Sequence, residues 1–333
     1  MSSPESPEQF EARREALFEK LHLKEQYESQ LQVLNETGIL ELLPESQDMG
    51  VFGIEGEEHP APTLDEIKKR ITDPEMIAHL EVKHKQGFTK LLLVPHAMPV
   101  VALSEKLRKL IERQYKATSL KTSDGKDLEL DEGAAVMENN MGQRSDAKGE
   151  LLSYPESVAG GNMENELKKM SRLLGEDLGL AHDGAEDTKE GDEQIQGITK
   201  KEMIETGNSW ELLLVRDASN AETQSALQKR ARKKGELDQL ESVAKIFESK
   251  KEVGLTLEGW HSLAISTLHE KGVLIESGKK SNRVVLFGSA MDLGAVVSVE
   301  HESDGEFVIH NTEYLAEGED QVRSSVRIPA QEK

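Results

Sequence analysis

The sequence predicts an α+β protein, on three observations. Phe88–Val94 (FTKLLLV) is an almost continuous apolar run bounded by Gly87 and Pro95. Trp210–Val215 (WELLLV) has the same character. Short apolar runs between turn residues fit strands covered on both faces, and the two are expected to share a sheet despite their separation in sequence. Helical patterns surround the first run, whereas the chain from Arg283 onward reads as short strands with glycine turns. This order gives a long N-terminal helix in 1–45, an α/β layer in 46–160 around the central strand 88–94, an acidic flexible insertion in 161–198, and an α+β unit in 199–333 with a β-rich, antiparallel end.

The first five residues carry no pattern and are expected to be disordered. Pro7 opens a charged helix running to about Asn35, with Phe10, Leu17, Leu21, Leu31 and Leu34 apolar and the register broken at Lys24 and Glu28. Either it pairs with a partner helix in a short coiled coil or it lies across the domain surface. Gly38 closes it. Ile39–Leu43 reads as a strand or short turn stopped by Pro44, and Met49–Pro62 as a hairpin or loop with turn glycines at Gly50, Gly53 and Gly56. That spacing is not the dinucleotide-binding fingerprint. His59 reads as an exposed loop histidine. Thr63–Glu66 has capping-box spacing, and Asp73-Pro74 starts a further helix with Met76, Ile77, Leu80 and His84 on one side.

After the central strand, Pro95 stops the ladder because it has no N–H to donate. Pro99 is expected to keep the chain extended to Leu103, with Ser104 as the N-cap of an amphipathic helix. Leu107, Leu110, Ile111 and Gln114 form its inner face, and Lys106, Arg108, Lys109 and Arg113 its outer one. The loop Pro95–Pro99 contains His96 and Met98. Ligands commonly bind at the carboxyl ends of parallel strands, which makes His96 and Met98 candidate ligand-binding residues.

Thr118–Glu129 reads as a hairpin turning at Asp124-Gly125, and Leu151–Pro155 as a strand. Met163–Leu180 fits a short helix. Asp183–Glu193 is acidic and apolar-poor and lacks the spacing of a calcium loop, so it reads as a solvated linker. Thr199–Glu202 repeats the capping box, and Gly207 ends that helix. Ala221–Ser249 is a charged helix or helix pair carrying Lys229, Arg230, Arg232, Lys233 and Lys234.

Thr256 caps the next helix, with Leu257, Trp260, Leu263, Ala264 and Leu268 as the buried stripe. His261, Ile265 and His269 share another face. At about 1.5 Å rise per residue the two histidines are too far apart to hold one metal ion, but they suit contact with one partner surface. Strands follow at Arg283–Phe287, Ala295–Glu300, Phe307–His310 and Val322–Ile328, with Asp304-Gly305 as a hairpin turn. In the last strand Arg323 and Arg327 fall on one face, expected to be the outer one beside Glu317, Glu319 or Asp320. They are expected to pair with those acids as structural residues first, and are candidate ligand-binding residues for a carboxylate or phosphate as the alternative.

Composition narrows the function. The net charge is −22, from 63 acidic and 41 basic residues, which opposes nucleic-acid backbones and anionic membranes. Aromatic residues make up 4% of the chain, too few for base-stacking platforms. Cysteine is absent, so thiolate chemistry and disulfides are excluded. No apolar run reaches the length of a membrane span, and the N-terminus lacks a signal-peptide core, so the cytoplasm is the expected compartment. No phosphate loop, nucleophile elbow or zinc helix is present, and no cofactor or metal is expected. The expected function is that of a soluble, non-enzymatic binding or interaction protein using the C-terminal β-rich unit, for a small ligand or a protein partner. The alternatives are an enzyme with its site at 95–99 and an assembly protein pairing through the N-terminal helix.

Four stretches carry a resemblance: KHKQGFTKLLLVP at Lys83–Pro95, SWELLLV at Ser209–Val215, GLTLEGWHSLAISTLHEKG at Gly254–Gly272 and VRSSVRI at Val322–Ile328. In this order they resemble an uncharacterised family of predicted proteins from small-genome candidate-phylum bacteria. The resemblance runs from about Gln26 onward and brings no activity, cofactor or catalytic residue with it. Val322-Arg323 and Val326-Arg327 also look like the closing strand of C-type-lectin-like domains of the formylglycine-generating-enzyme type. Such domains carry aromatic-rich hairpins before that strand, where this chain has His301, Phe307 and Tyr314, so no ligand surface is carried over.

Overall fold

A computed structural model describes residues 6–72, 74–117, 120–129, 137–139, 153–155, 197–217, 222–223, 226, 246–247, 249–277, 283–290, 296–301, 307–312 and 320–328. The first five residues, Asp73, Met163–Leu180, the acidic run Asp183–Glu193, the cations from Lys229 to Lys234 and the Asp304-Gly305 turn lie outside them. The architecture is α+β, with seven helices and four sheets among the described residues.

The N-terminal helical pattern forms two helices, α1 (Pro7–Lys20) and α2 (Leu23–Glu36). His22 between them adopts a left-handed conformation (φ 50°), turning the chain just before the register breaks at Lys24 and Glu28. Ser6 caps α1 in a full capping box with Gln9. Leu17, Phe18, Leu21, Leu23, Val33 and Leu34 are all buried in the main core, so these helices lie across the domain. A small antiparallel sheet follows: β1 (Glu41–Leu42), β2 (Met49–Phe52) and β3 (Glu58–Pro60). Helices α3 (Leu64–Arg70), capped by Thr63 and Glu66, and α4 (Pro74–Lys85) lead into β4 (Phe88–Val94).

Strand β4 pairs antiparallel with β9 (Glu211–Arg216), so the two apolar runs are immediate neighbours. The four-stranded sheet runs β11 (Val253–Gly254), β17 (Ser324–Ile328), β9, β4, antiparallel throughout. His96 therefore does not follow a parallel strand. Its position is set instead by Pro95, which ends the ladder, and by Ala97, whose N–H bonds the Ser209 carbonyl at 3.1 Å. Helix α5 (Val100–Ala117) begins directly after Pro99, earlier than expected. Pro99 itself supplies the carbonyl that accepts from Ala102 and Leu103, so Ser104 is an interior, buried helix residue and not the cap.

The hairpin at Asp124-Gly125 forms, and its strand β5 (Lys121–Thr122) pairs parallel with β12 (Val273–Leu274). Helix α6 (Lys200–Glu205) has its capping box at Thr199 and Glu202. Helix α7 (Leu257–Lys271), capped by Thr256 and ended by Gly272 in the left-handed conformation, is buried on every face from Leu257 to Leu268. The remaining strands build an eight-stranded mixed sheet in the order β10 (Glu222–Thr223), β16 (Gln321–Val322), β13 (Arg283–Ala290), β14 (Val296–His301), β15 (Phe307–Thr312), β6 (Met137–Asn139). Strand β7 (Ser153–Pro155) pairs with β13 and with β8 (Gly197–Thr199). The run β13–β14–β15 is antiparallel, while β16 and β6 flank it in parallel.

The last apolar strand divides at Arg323: Val322 belongs to the mixed sheet and Ser324–Ile328 to the four-stranded one. β17 thus lies between β11 and β9 rather than at an edge, and both Arg323, just before it, and Arg327, within it, are largely buried rather than on an outer face. Arg323 is buried and gives Glu276 a two-pronged ion pair, with Nε–Oε1 at 2.5 Å and Nη2–Oε2 at 3.1 Å. Asp320 pairs with Arg283 instead. The two sheets touch backbone to backbone where the Gly288 N–H bonds the Leu255 carbonyl at 3.1 Å. A Cβ on Gly254 would lie 2.6 Å from Phe287, and one on Gly288 only 2.4 Å from the Gly254 carbonyl oxygen.

Candidate functional site

The ends of several elements converge at one end of the four-stranded sheet. Val94 pairs with Glu211, and Arg327 lies opposite Leu213. Partners directly opposite in a ladder share a face, and residues two apart in a strand share it too, so Glu211 and Arg327 point the same way. Two residues beyond Val94, His96 is completely buried. Its Nε2 lies 2.7 Å from Glu211 Oε2. On the other side its Nδ1 faces Glu258 Oε2 at 3.8 Å, beyond hydrogen-bond reach.

Glu258 lies in the first turn of α7, where the helix dipole favours an anion. Its Oε1 accepts from the Tyr154 hydroxyl at 2.6 Å and from Lys200 Nζ at 2.7 Å. Lys200 opens α6 and also donates to the Met98 carbonyl at 2.7 Å. The Thr199 capping box and the β7–β8 pairing bring Lys200 and Tyr154 together from distant parts of the sequence. The Tyr154 ring meets the His96 ring edge-on, with centroids 5.1 Å apart. Arg327 Nε is 3.2 Å from Glu211 Oε1, close enough for an ion pair but without hydrogen-bond alignment. Arg70, at the end of α3, is half-buried beside them and bonds the Trp210 carbonyl through Nη1 at 3.3 Å.

The electrostatics follow from this burial. Desolvation pushes the Glu258 carboxyl up, but the charges of Lys200 and His96 and the hydrogen bonds from Lys200 and Tyr154 outweigh it and hold the group at about 2. Desolvation pulls Lys200 below its ordinary value, with Glu258 opposing. Desolvation and then the Glu258 charge drive the Tyr154 hydroxyl well above its ordinary value, so it acts as a neutral donor. Within this cluster four buried atoms have no hydrogen-bond partner among the described residues: His96 Nδ1, Glu258 Oε2, Glu211 Oε1 and Arg327 Nη1. Buried polar atoms are nearly always paired, so four such atoms in one cluster is a departure that asks for a cause.

Of the sequence candidates, His96 is at the centre of this cluster, Arg327 at its rim, and Met98 contributes its backbone carbonyl rather than its sulfur. Arg323 is elsewhere, committed to Glu276. His261 and His269 do not share a surface: His261 is fully buried against Ser104, and His269 bonds Glu36 at 2.7 Å. Glu211, Glu258, Lys200, Tyr154 and Arg70 were not singled out by sequence reasoning. The available signal was slight: a glutamate, Glu211, leading the strongly apolar ELLLV, and Glu258 in the first turn of a helix. Among the described residues no group of three or more histidine or acidic side chains is placed to hold a metal ion, and no helix is long and apolar enough to cross a membrane. No protein family, curated protein or solved structure matches the chain.

Proposed function

We propose that the strand end at 95–99 is the working site of the protein and that it performs acid–base chemistry, with His96 as the proton-transferring group. One observation carries this reading: His96 is oriented through Nε2 by a buried carboxylate while its Nδ1 has no hydrogen-bond partner among the described residues. A carboxylate is an acceptor, so in the neutral imidazole the Nε2 proton points at Glu211 and the lone pair is left on Nδ1. A proton arriving there meets the ionised Glu258 Oε2 at 3.8 Å. Glu211 is the orienting residue, Glu258 the counter-charge, and Lys200 and Tyr154 hold Glu258 in place. Carboxylate, ammonium and phenol groups with shifted ionisation around one imidazole are typical of sites that move protons.

The reading of the chain as a non-enzymatic binding protein working through its C-terminal β-rich unit has less support, because Arg323 is spent on Glu276 and Arg327 belongs to the polar centre. Assembly through the N-terminal helix also has less support, since no large apolar side chain of α1 or α2 is exposed among the described residues. We keep the cytoplasm as the proposed compartment and exclude nucleic acid as a partner on the net charge of −22.

The test is mass-spectrometric profiling of a complex small-metabolite mixture incubated with the wild-type chain and with His96→Asn. The reading requires at least one compound consumed by the wild type and spared by the variant. Identical profiles for the two proteins count against it.

A further inference from the structure

The Arg327 guanidinium is an anomaly. Its side chain is 10% exposed, and its Nη1 is buried without an acceptor among the described residues. Its nearest anion, Glu211 Oε1, is at 3.2 Å but off the line of a hydrogen bond and is itself unpartnered. A guanidinium carries five N–H donors, and leaving them unmatched inside a protein is costly. Arg70 adds to the anomaly. Burial, and then the like charge of Arg327, push the Arg70 guanidinium below its ordinary value, with Glu66 and Glu211 opposing. The geometry agrees: Arg70 Nη1 is on the Trp210 carbonyl and Arg327 Nε is 3.2 Å from the carboxylate of Glu211, the next residue in the chain. Of the two opposing carboxylates, Glu66 is turned onto Thr63, accepting from its N–H at 2.7 Å and its hydroxyl at 2.8 Å. Glu211 gives its Oε2 to His96.

We propose that Arg327 and Arg70 form an oxyanion subsite beside His96, and that the ligand of the polar centre carries a carboxylate or a phosphate group. Both groups present several acceptor oxygens to a guanidinium fork, which supplies the missing partners of Arg327 Nη1 and engages the partly exposed end of Arg70. The half-buried position of Arg70 gives this subsite a solvent side that His96 and Glu258 lack. The negative charge of the whole chain does not forbid it, because charges beyond about 8 Å are largely screened at physiological ionic strength. The class of ligand rests on the reading of 95–99 as the working site, whereas the anion subsite is a property of the two arginines alone.

The experiment is calorimetric titration of the full-length chain with inorganic phosphate and, separately, with acetate, each at constant ionic strength set by chloride. Saturable binding of at least one is expected, weakened roughly tenfold or more in both Arg70→Gln and Arg327→Lys. Arg70→Gln leaves the Arg327–Glu211 contact intact, so it keeps the test valid if Arg327→Lys does not fold. Preference for phosphate or for acetate identifies the group. Absence of saturable binding of both anions by the wild type, or undiminished binding in either folded arginine variant, overturns the proposal. If anion binding behaves as expected while His96→Asn consumes the same metabolites as the wild type, the subsite stands and the acid–base reading falls.

Discussion

The two ends of the four-stranded sheet each bury a group of charged side chains, and they are built on opposite terms. At the end where β4 begins, Lys83 donates to Glu252 Oε1 at 2.8 Å, and Ser324 donates to Oε2 at 2.5 Å. Arg216 lies 3.6 Å from the same carboxylate and 4.1 Å over the Phe88 ring, which also faces Lys83. Both oxygens of Glu252 are used. At the end where β4 finishes, the His96 cluster has a comparable set of charges but leaves an atom on each of four side chains without a partner among the described residues. A satisfied buried network fixes one arrangement of the chain; a partly satisfied one is costly unless something else completes it. That difference separates a structural tie from a working site.

The largest effect that breaks the comparison is expected at the satisfied end. Glu252→Leu leaves Lys83 buried and unpaired, at a cost of about 3–5 kcal/mol in chemical denaturation. Adding Lys83→Met should recover most of that loss, because an apolar pair of similar volume replaces the ions without a stranded charge. If Glu252→Leu alone costs less than about 1 kcal/mol, the network is not a tie and the contrast with the other end collapses.

Much of the fold was legible because it rests on local patterns. That β4 and β9 share a sheet followed from two apolar runs that each need cover on both faces, and the capping boxes at Thr63 and Thr199 from spacing alone; the direct pairing of β4 with β9 is a finding of the structure. The polar centre was legible in the sequence at His96, Met98 and Arg327, with His96 marked by its place between a strand-ending Pro95 and Pro99. Its partners were hidden by their positions. Glu258 and Lys200 are in the first turns of helices, where charged residues ordinarily face water, and Glu211 heads a strand. Only the three-dimensional convergence of those ends takes them out of solvent. The arginines of the last strand were misassigned to an outer face because the sequence does not reveal that the chain changes sheet at Arg323.

The next effect in size sharpens the comparison by pH. The folded Glu258 carboxyl at about 2 is depressed from its ordinary 4.5. Its contribution is present above the ordinary value and is lost as pH falls from about 4.5 towards about 2, because the unfolded chain takes up the proton first. The amount is of the order of 3 kcal/mol. Denaturant titrations over this range on Glu258→Gln should show a flatter acid limb than the wild type. An identical slope in the two proteins would mean that Glu258 is not held ionised by Lys200 and Tyr154, and with it the counter-charge assigned to His96 would go.

The smallest effect compares two buried histidines directly. His261 Nδ1 is 2.9 Å from the Leu257 carbonyl, an acceptor only, so Nδ1 carries the proton. Its Nε2 therefore accepts from the Ser104 hydroxyl at 2.9 Å, which ties α5 to α7. Burial lowers this imidazole to about 4, against the opposing pull of that carbonyl and of Glu258, so it is neutral at pH 7 with both nitrogens satisfied. His96 differs in one atom, its unpartnered Nδ1. Ser104→Ala makes His261 resemble His96, since it strands Nε2 without a donor, and it should cost about 1–2 kcal/mol in thermal or chemical unfolding. The same stranding already exists at His96 in the wild-type chain, where a bound partner offering a hydrogen to Nδ1 would relieve it. A ligand of the polar centre should therefore raise the melting temperature of Ser104→Ala by as much as it raises that of the wild type, because the Ser104–His261 tie is complete without it. If Ser104→Ala instead abolishes the ligand's stabilising effect while keeping its fold, the two histidines are one coupled system and the division into tie and working site does not hold.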